Sequence, residues 1–271
     1  MNETTEINAG IRYDYSEINA NKTYLLADWK KNNFDQLFPQ FEGEIDNTRI
    51  NTHPTFIFHN VSASVGFSKR WENNLTFLLH YGLGNRVPNP SEFFSDGVHH
   101  SNARFEIGFL NIKKEIANKF NISLERNNDN FGFIISPYYK RINGFIQLIP
   151  TGITTTIKGA FPVWEYDQVD AEIFGIDIDI NKRINHQFDY IGNISWIQGT
   201  NLTKDIPLIH MPGTNFSSRI VYTNEQWNQL KISLKNTTVL RQNQYPDYNF
   251  FTFNPSTQQE VFVDTSTPPP A

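Results

Sequence analysis

The 271-residue chain contains no cysteine. That single absence removes disulfide frameworks, thiolate catalysis and Cys-ligated zinc. The sequence also lacks any run of about 18 apolar residues, which excludes a membrane-spanning helix. Mean hydropathy is −0.48, and charged residues make up only 19%. Lysine and arginine number 23 against 28 acidic residues, and no basic cluster interleaves with the aromatics. Nucleic acid is therefore not an expected partner. The opening MNETTEINAG has no apolar segment of the signal-peptide kind, so the expectation is a chain that is not exported or an internal piece of a longer one. Phosphate loops, nucleophile elbows and HExxH stretches are likewise missing from the sequence.

What the chain has in quantity is aromatic residues (14%, with 23 Phe, 11 Tyr and 5 Trp) and alternation. Leu75, Phe77, Leu79, Tyr81 and Leu83 fall on one face of an extended strand, with Thr76, His80, Gly82 and Gly84 on the other. The same stretch then meets Pro88 and Pro90, which remove ladder donors and turn it into a long polar loop. The pattern recurs. Ala9, Ile11, Tyr13 and Tyr15 oppose Gly10, Arg12 and Asp14. Val61, Ala63, Val65 and Phe67 oppose Ser62, Ser64 and Gly66. Further on, Phe174, Ile176, Ile178 and Ile180 oppose Gly175, Asp177 and Asp179, and Leu230, Ile232 and Leu234 oppose Lys231, Ser233 and Lys235.

Two architectures accommodate such strands: a soluble antiparallel sheet with one wet face, or a barrel whose apolar face meets lipid. A transmembrane strand needs only about 9–11 residues and shows half of them to lipid, so a polar mean hydropathy does not exclude insertion. Connection lengths favour the barrel. Tight turns near 71–74, 127–130, 183–186 and 224–225 alternate with long loops at 19–53, 86–115 and 149–166, as in outer-membrane proteins. Charge placement agrees. A Lys at mid-depth on a lipid face costs roughly 2–4 kcal/mol, and within the apolar sets charges sit at strand ends, as at Lys69 and Lys182. Asp177, Asp189, Lys231 and Lys235 all fall on the polar face.

The expected fold is thus all-β: a partial antiparallel transmembrane β-barrel of about nine meandering strands, with short periplasmic turns and long extracellular loops. An odd strand count does not close a single-chain bacterial barrel, so the expectation is a section cut at both ends. Residues 1–242 would form that section and 243–271 a loop or truncated tail.

Specific residues carry a family resemblance. GLGNRVPNPSEFFSDGVHH, then ARFEIG, SPYYKRINGFIQLIPTG and FPVWEYDQVDAEIFGIDI, resemble in their order the barrel of TonB-dependent outer-membrane receptors. The strongest part is the spacing of Arg86, Pro90 and Glu92, followed by Phe93-Phe94 and Gly97-Val98-His99-His100. The likeness runs from Ile11-Arg12-Tyr13-Asp14 to about residue 240. It implies a bacterial outer-membrane location and a barrel of about 22 strands with a plugged lumen in the whole receptor. It also implies energised import of a scarce nutrient, foremost a ferric siderophore, driven through TonB. The family's plug, TonB-contacting segment, opening strands and closing strand have no counterpart in these residues. TonB contact would therefore come through the missing N-terminal part, and lipid would meet the apolar face.

Candidate ligand contacts are Arg86, Glu92, His99, His100, Trp164 and Tyr166. Arg86 and Glu92 straddle the two prolines, which suits an ion pair bracing the loop as well as contact with an anionic ligand. Adjacent histidines in an extended loop point apart, so loop packing competes with contact to a ferric chelate at His99 and His100. Trp164 and Tyr166 fit ligand stacking, loop packing or an interfacial aromatic girdle. No catalytic set, metal site or cofactor is expected. Asp177 and Asp179 lie about 6.5–7 Å apart on one strand face, but no acid partner accompanies them. Two other readings stay open: a soluble all-β carbohydrate- or ligand-binding module, and a passive porin-like channel.

Overall fold

A computed structural model describes residues 4–46, 48–155, 161–246, 250–254 and 259–263. Strand β1 (Thr4–Asn19) is followed by a small insertion: β2 (Lys22–Leu25), α1 (Leu26–Lys31), α2 (Phe34–Leu37), β3 (Glu42–Asp46) and β4 (Arg49–Thr52). The long strands β5 (Thr55–Arg70) and β6 (Leu75–Arg86) come next. A second insertion holds α3 (Pro90–Phe94), β7 (Asp96–His99) and β8 (Arg104–Ile107). Then β9 (Glu115–Arg126), β10 (Phe131–Thr155), β11 (Phe161–Arg183) and β12 (Phe188–Asn201) run back and forth. They lead to β13 (Ile206–Pro207), β14 (Asn215–Asn224), β15 (Leu230–Val239) and the hairpin β16 (Phe250–Asn254) and β17 (Gln259–Val263).

The nine long strands make one antiparallel meander in the order β1-β5-β6-β9-β10-β11-β12-β14-β15. Among the described residues this sheet closes into no barrel. Closure requires the first and last strands to pair, yet β1 pairs only with β5 and β15 only with β14. The expected partial transmembrane barrel is therefore corrected to an open all-β sheet with two free edges. Three other expectations change. The stretch 19–53 is no plain loop, because β2, β4 and β3 form a sheet of their own. Nor are the described parts of 149–166, residues 149–155 and 161–166, a loop. Strands β10 and β11 stay paired through Pro150↔Trp164 and, past a bulge, Thr154↔Pro162 and Thr155↔Phe161. Within 243–271, where the sequence suggests loop or tail, the backbone makes the β16–β17 hairpin.

Register aligns the alternation of each strand with that of its neighbours. One continuous apolar row runs Phe77–Leu124–Ile135–Ile178–Ile194–Phe216 across six strands. Nearer the long insertions a second row reads Val65–Tyr81–Phe120–Tyr139–Phe174. Toward the tight turns the same face carries Phe131, Phe133, Phe188, Tyr190 and Tyr222, with Lys69, Arg126 and Lys182 at the strand ends. Aromatics thus bracket an aliphatic band. From Phe174 to Lys182 the strand rises roughly 26 Å at about 3.3 Å per residue, which a tilt of about 40° reduces to roughly 20 Å, somewhat less than the apolar band of about 25 Å on outer-membrane strands.

No second layer covers this face. Leu79 is 41% exposed, Ile194 44% and Ile232 56%. The opposite face is polar and cross-linked: Ser195 Oγ donates to Asp177 at 2.7 Å, Ser123 and Ser136 hydroxyls meet at 2.9 Å, and Asn193 joins Asp179 to Ser217.

The buried core lies at one end of the sheet, among the long insertions. Trp29, Phe34, Phe41 and Ile50 from the first insertion pack with Phe93, Leu110 and Ile112 from the second and Ile146 of β10. Phe56 of β5 stacks on Phe93 with ring centroids 4.4 Å apart. Trp29→Ala removes the largest of these side chains, so it is expected to cost the insertion cluster about 3–5 kcal/mol. Limited proteolysis should then cut within 20–54 while leaving the meander resistant; equal resistance of wild type and variant would contradict this placement of the core.

Candidate functional site

The insertions converge on Arg86, at the end of β6 on the polar face. Chain geometry explains its position: β6 stops where Pro88 follows, and Asn89 then starts α3. Asn89 Oδ1 accepts from the Glu92 amide at 3.0 Å while Glu92 Oε2 accepts from the Asn89 amide at 2.8 Å. This reciprocal cap, with Pro90 in the first turn, fixes Glu92 below the loop. Arg86 Nη1 then donates to both Glu92 oxygens at 2.9 and 3.0 Å.

Its other edge is taken by Glu115 at the start of β9, through Nε at 2.8 Å and Nη2 at 2.7 Å. Glu115 Oε1 also accepts the Ile146 amide of β10 at 2.8 Å. One guanidinium therefore ties three strands to α3 through two carboxylates that are 8% and 10% exposed. Both candidate residues Arg86 and Glu92 are brought together as an ion pair, and Glu115 is a partner that the sequence reading missed.

Trp164 and Tyr166 stand on β11 beside β8, which pairs with it in parallel through Val163↔Phe105 and Trp164↔Glu106. Trp164 is packed among side chains of the insertions. The Arg104 guanidinium carbon lies 5.2 Å from its ring centre, and the His210 ring stacks at 6.1 Å with an 11° tilt. Burial, and then the Arg104 charge, hold the His210 imidazole below its usual range. Arg104 in turn pairs with buried Glu106 at 2.7 Å. Tyr166 packs against the insertion core. His99 and His100 are exposed and diverge: His99 Nδ1 meets Ser101 Oγ at 3.0 Å, and His100 lies edge-on to Phe161.

The six candidates thus fall into three settings, the first two adjoining where Tyr166 comes within reach of the Glu92 charge. Arg86 and Glu92 form a brace, Trp164 and Tyr166 pack the insertions together, and the histidines lie outside both. Among the described residues no group of three or more His, Asp or Glu is placed to hold a metal ion. Sequence signals existed for part of this. Asn89-Pro90-Ser91-Glu92 is a readable capping box, whereas Glu115, Arg104 and His210 sit far from their partners in the chain.

The family described as TonB dependent receptor-like, beta-barrel, matches residues 2–267. No curated protein sequence matches the chain. Among solved structures, the copper transporter OprC superposes with a TM-score of 0.62 at 18% identity, over 81% of this chain and 30% of that one. A double mutant of the Serratia marcescens hemophore receptor HasR, in complex with its hemophore HasA and heme, gives 0.56 at 11%, over 95% and 42%. The FrpB iron transporter of Neisseria meningitidis gives 0.52 at 15%, over 87% and 41%. The chain therefore spans between 30% and 42% of the length of these structures.

Glu115→Gln leaves the fork of Arg86 without its second carboxylate. The expected loss is about 1–3 kcal/mol, set by the exposed part of the guanidinium at one limit and by the unsatisfied buried partner at the other. Hydrogen exchange at α3 and at the Ile146 amide should rise together; a change at Ile146 alone would separate Glu115 from the brace.

Proposed function

The chain belongs to the TonB-dependent receptor-like β-barrel family, and from that membership we propose that it takes part in energised uptake of a scarce nutrient, a ferric siderophore in the first instance. The chain resides in the bacterial outer membrane, the location of this family. It is not an enzyme; the matched proteins are receptors and transporters. The observation that carries the proposal is the uncovered apolar face of the sheet, aliphatic in the middle and aromatic at both margins, set against a hydrogen-bonded polar face. A soluble binding module would hide such a face in a core.

In this reading lipid meets the apolar face, ligand approaches along the polar face, and the insertions at 87–114 and 202–214 admit it. Arg86, Glu92, His99, His100, Trp164 and Tyr166 are proposed as the entrance residues. Of these, His99 and His100 are the exposed pair that meets a ligand first, while the other four shape the wall. TonB is the proposed energy partner of the whole receptor. Residues 1–242 are proposed as the unit that meets the membrane, with 243–271 as an appendage to it. Iron is favoured because FrpB is an iron transporter and PirA of Pseudomonas aeruginosa, with a TM-score of 0.50 at 13% identity, is a siderophore receptor.

Two measurements test this. In the native host, deletion of the gene should abolish uptake of at least one radiolabelled ferric siderophore, and deletion of tonB should do the same; uptake that persists without TonB would identify a passive channel instead. Neighbouring residues test the two faces. Ile194→Lys puts a charge on the lipid side and should cost roughly 2–4 kcal/mol, reducing the amount of receptor assembled in the outer membrane. Ser195→Lys, on the polar side opposite Asp177, should assemble normally.

A further inference from the structure

On the polar face of β9 and β10, Lys119 and Lys140 stand directly opposite each other across the ladder. Like charges in register are unfavourable unless something between them is negative. Among the described residues no ion pair joins either ammonium to a carboxylate, whereas Lys22, Arg86, Arg104 and Lys204 near the insertions each have one. Lys119 has one contact of note, its ammonium lying 5.2 Å from the centre of the Tyr138 ring. A ring face offers a cation weak compensation compared with an anion.

The space beside the pair is open. Gly82 is the register partner of Lys119, and Gly84 that of Ala117. A side chain added at Gly84 would meet nothing within 4 Å, and one at Gly82 would meet only His80, at 3.4 Å. This bare strip of wall lies two positions below Arg86 on β6, directly beneath the brace. Arg86 itself is spoken for by Glu92 and Glu115, so the lysine pair is the uncommitted positive charge next to the strip.

We propose that Lys119 and Lys140 form an anion-binding rung, taking a carboxylate, catecholate or phosphate group of a negatively charged small ligand that lies across Gly82 and Gly84. This rests on the receptor reading and narrows it: the nutrient travels as an anionic complex. His80 borders the same strip and supplies a further hydrogen-bonding group to the ligand. The rung would hold the ligand by charge-assisted hydrogen bonds from two ammonium groups at once.

The test uses the complete receptor, purified in detergent, with inorganic pyrophosphate as the anionic probe. Acetylation of individual lysines is followed by mass spectrometry. Pyrophosphate is expected to slow modification of Lys119 and Lys140 together while leaving Lys231 unaffected, and Lys140→Gln should abolish the protection of Lys119. Protection that is absent, or equal at Lys231, overturns the proposal. So does a pair already unreactive before any anion is added, since acidic groups from elsewhere in the receptor would then occupy it. In cells, the Lys119→Gln/Lys140→Gln double variant should reduce uptake of ferric citrate about tenfold and leave uptake of an uncharged ferric hydroxamate unchanged. Protection in vitro without any iron uptake by the wild type would sink the iron reading while sustaining the rung.

Discussion

Everything in this molecule follows from a sheet that has no second layer. A soluble sheet buries one face against helices or another sheet, and its stability comes largely from that burial. Here the face that would be buried is exposed along its length, so the sheet depends on its ladder and on the medium around it. The ladder is long: β10 and β11 pair from Phe131↔Lys182 to Thr155↔Phe161. A shift of one residue anywhere in it would send Ile178 to the polar side and Asp177 or Asp179 to the apolar one. Register is therefore specified by the contrast between faces. The hydrogen bonds of Ser195 to Asp177 and Asn193 to Asp179 reinforce it from the polar side.

Without a core beneath the sheet, the large aromatic side chains that need burial collect elsewhere. They do so where the insertions meet, and Trp29, Phe34, Phe41 and Phe93 make there what the meander cannot. Ile146 of β10 and Phe56 of β5 join this cluster to the sheet by packing alone. The Arg86 fork adds directional bonds to that packing, fastening α3 to β6 and β9, and through Glu115 to the backbone of β10. The brace is therefore a positioning device: it sets where the aromatic cluster sits over the end of the sheet.

The alternation made the strands legible, because a two-residue period survives any tertiary context that keeps one face wet and the other apolar. The tight turns were legible for the same reason, as the short gaps between such segments. The capping box at Asn89 and Glu92 is a local pattern of the same kind, although the sequence reading passed over it. What escaped has a common cause. Glu115 reaches Arg86 across 29 positions, and His210 reaches Trp164 from another insertion; neither spacing leaves a local pattern. The 19–53 segment was misread because its aromatics at 29, 34, 38 and 41 are irregularly spaced and its elements are short. Alternation reports faces and says nothing about edges; the expectation of a section cut at both ends came from the odd strand count instead.

Those edges set the strictest physical condition on the fold. In water, the unpaired N–H and C=O groups of β1 and β15 are satisfied by solvent, and the cost of an open edge is slight. In hydrocarbon each unsatisfied group costs several kcal/mol. The apolar face and the free edges therefore make opposite demands: the face is best served by lipid, and the edges are best served by anything that donates and accepts hydrogen bonds. β1 shows the conflict most plainly, with Ile7 and Ile11 among the most exposed apolar residues and a full edge of backbone groups beside them. Both demands are met only if backbone from outside this sheet runs alongside β1 and β15 at membrane depth. The face can belong to lipid on that condition alone.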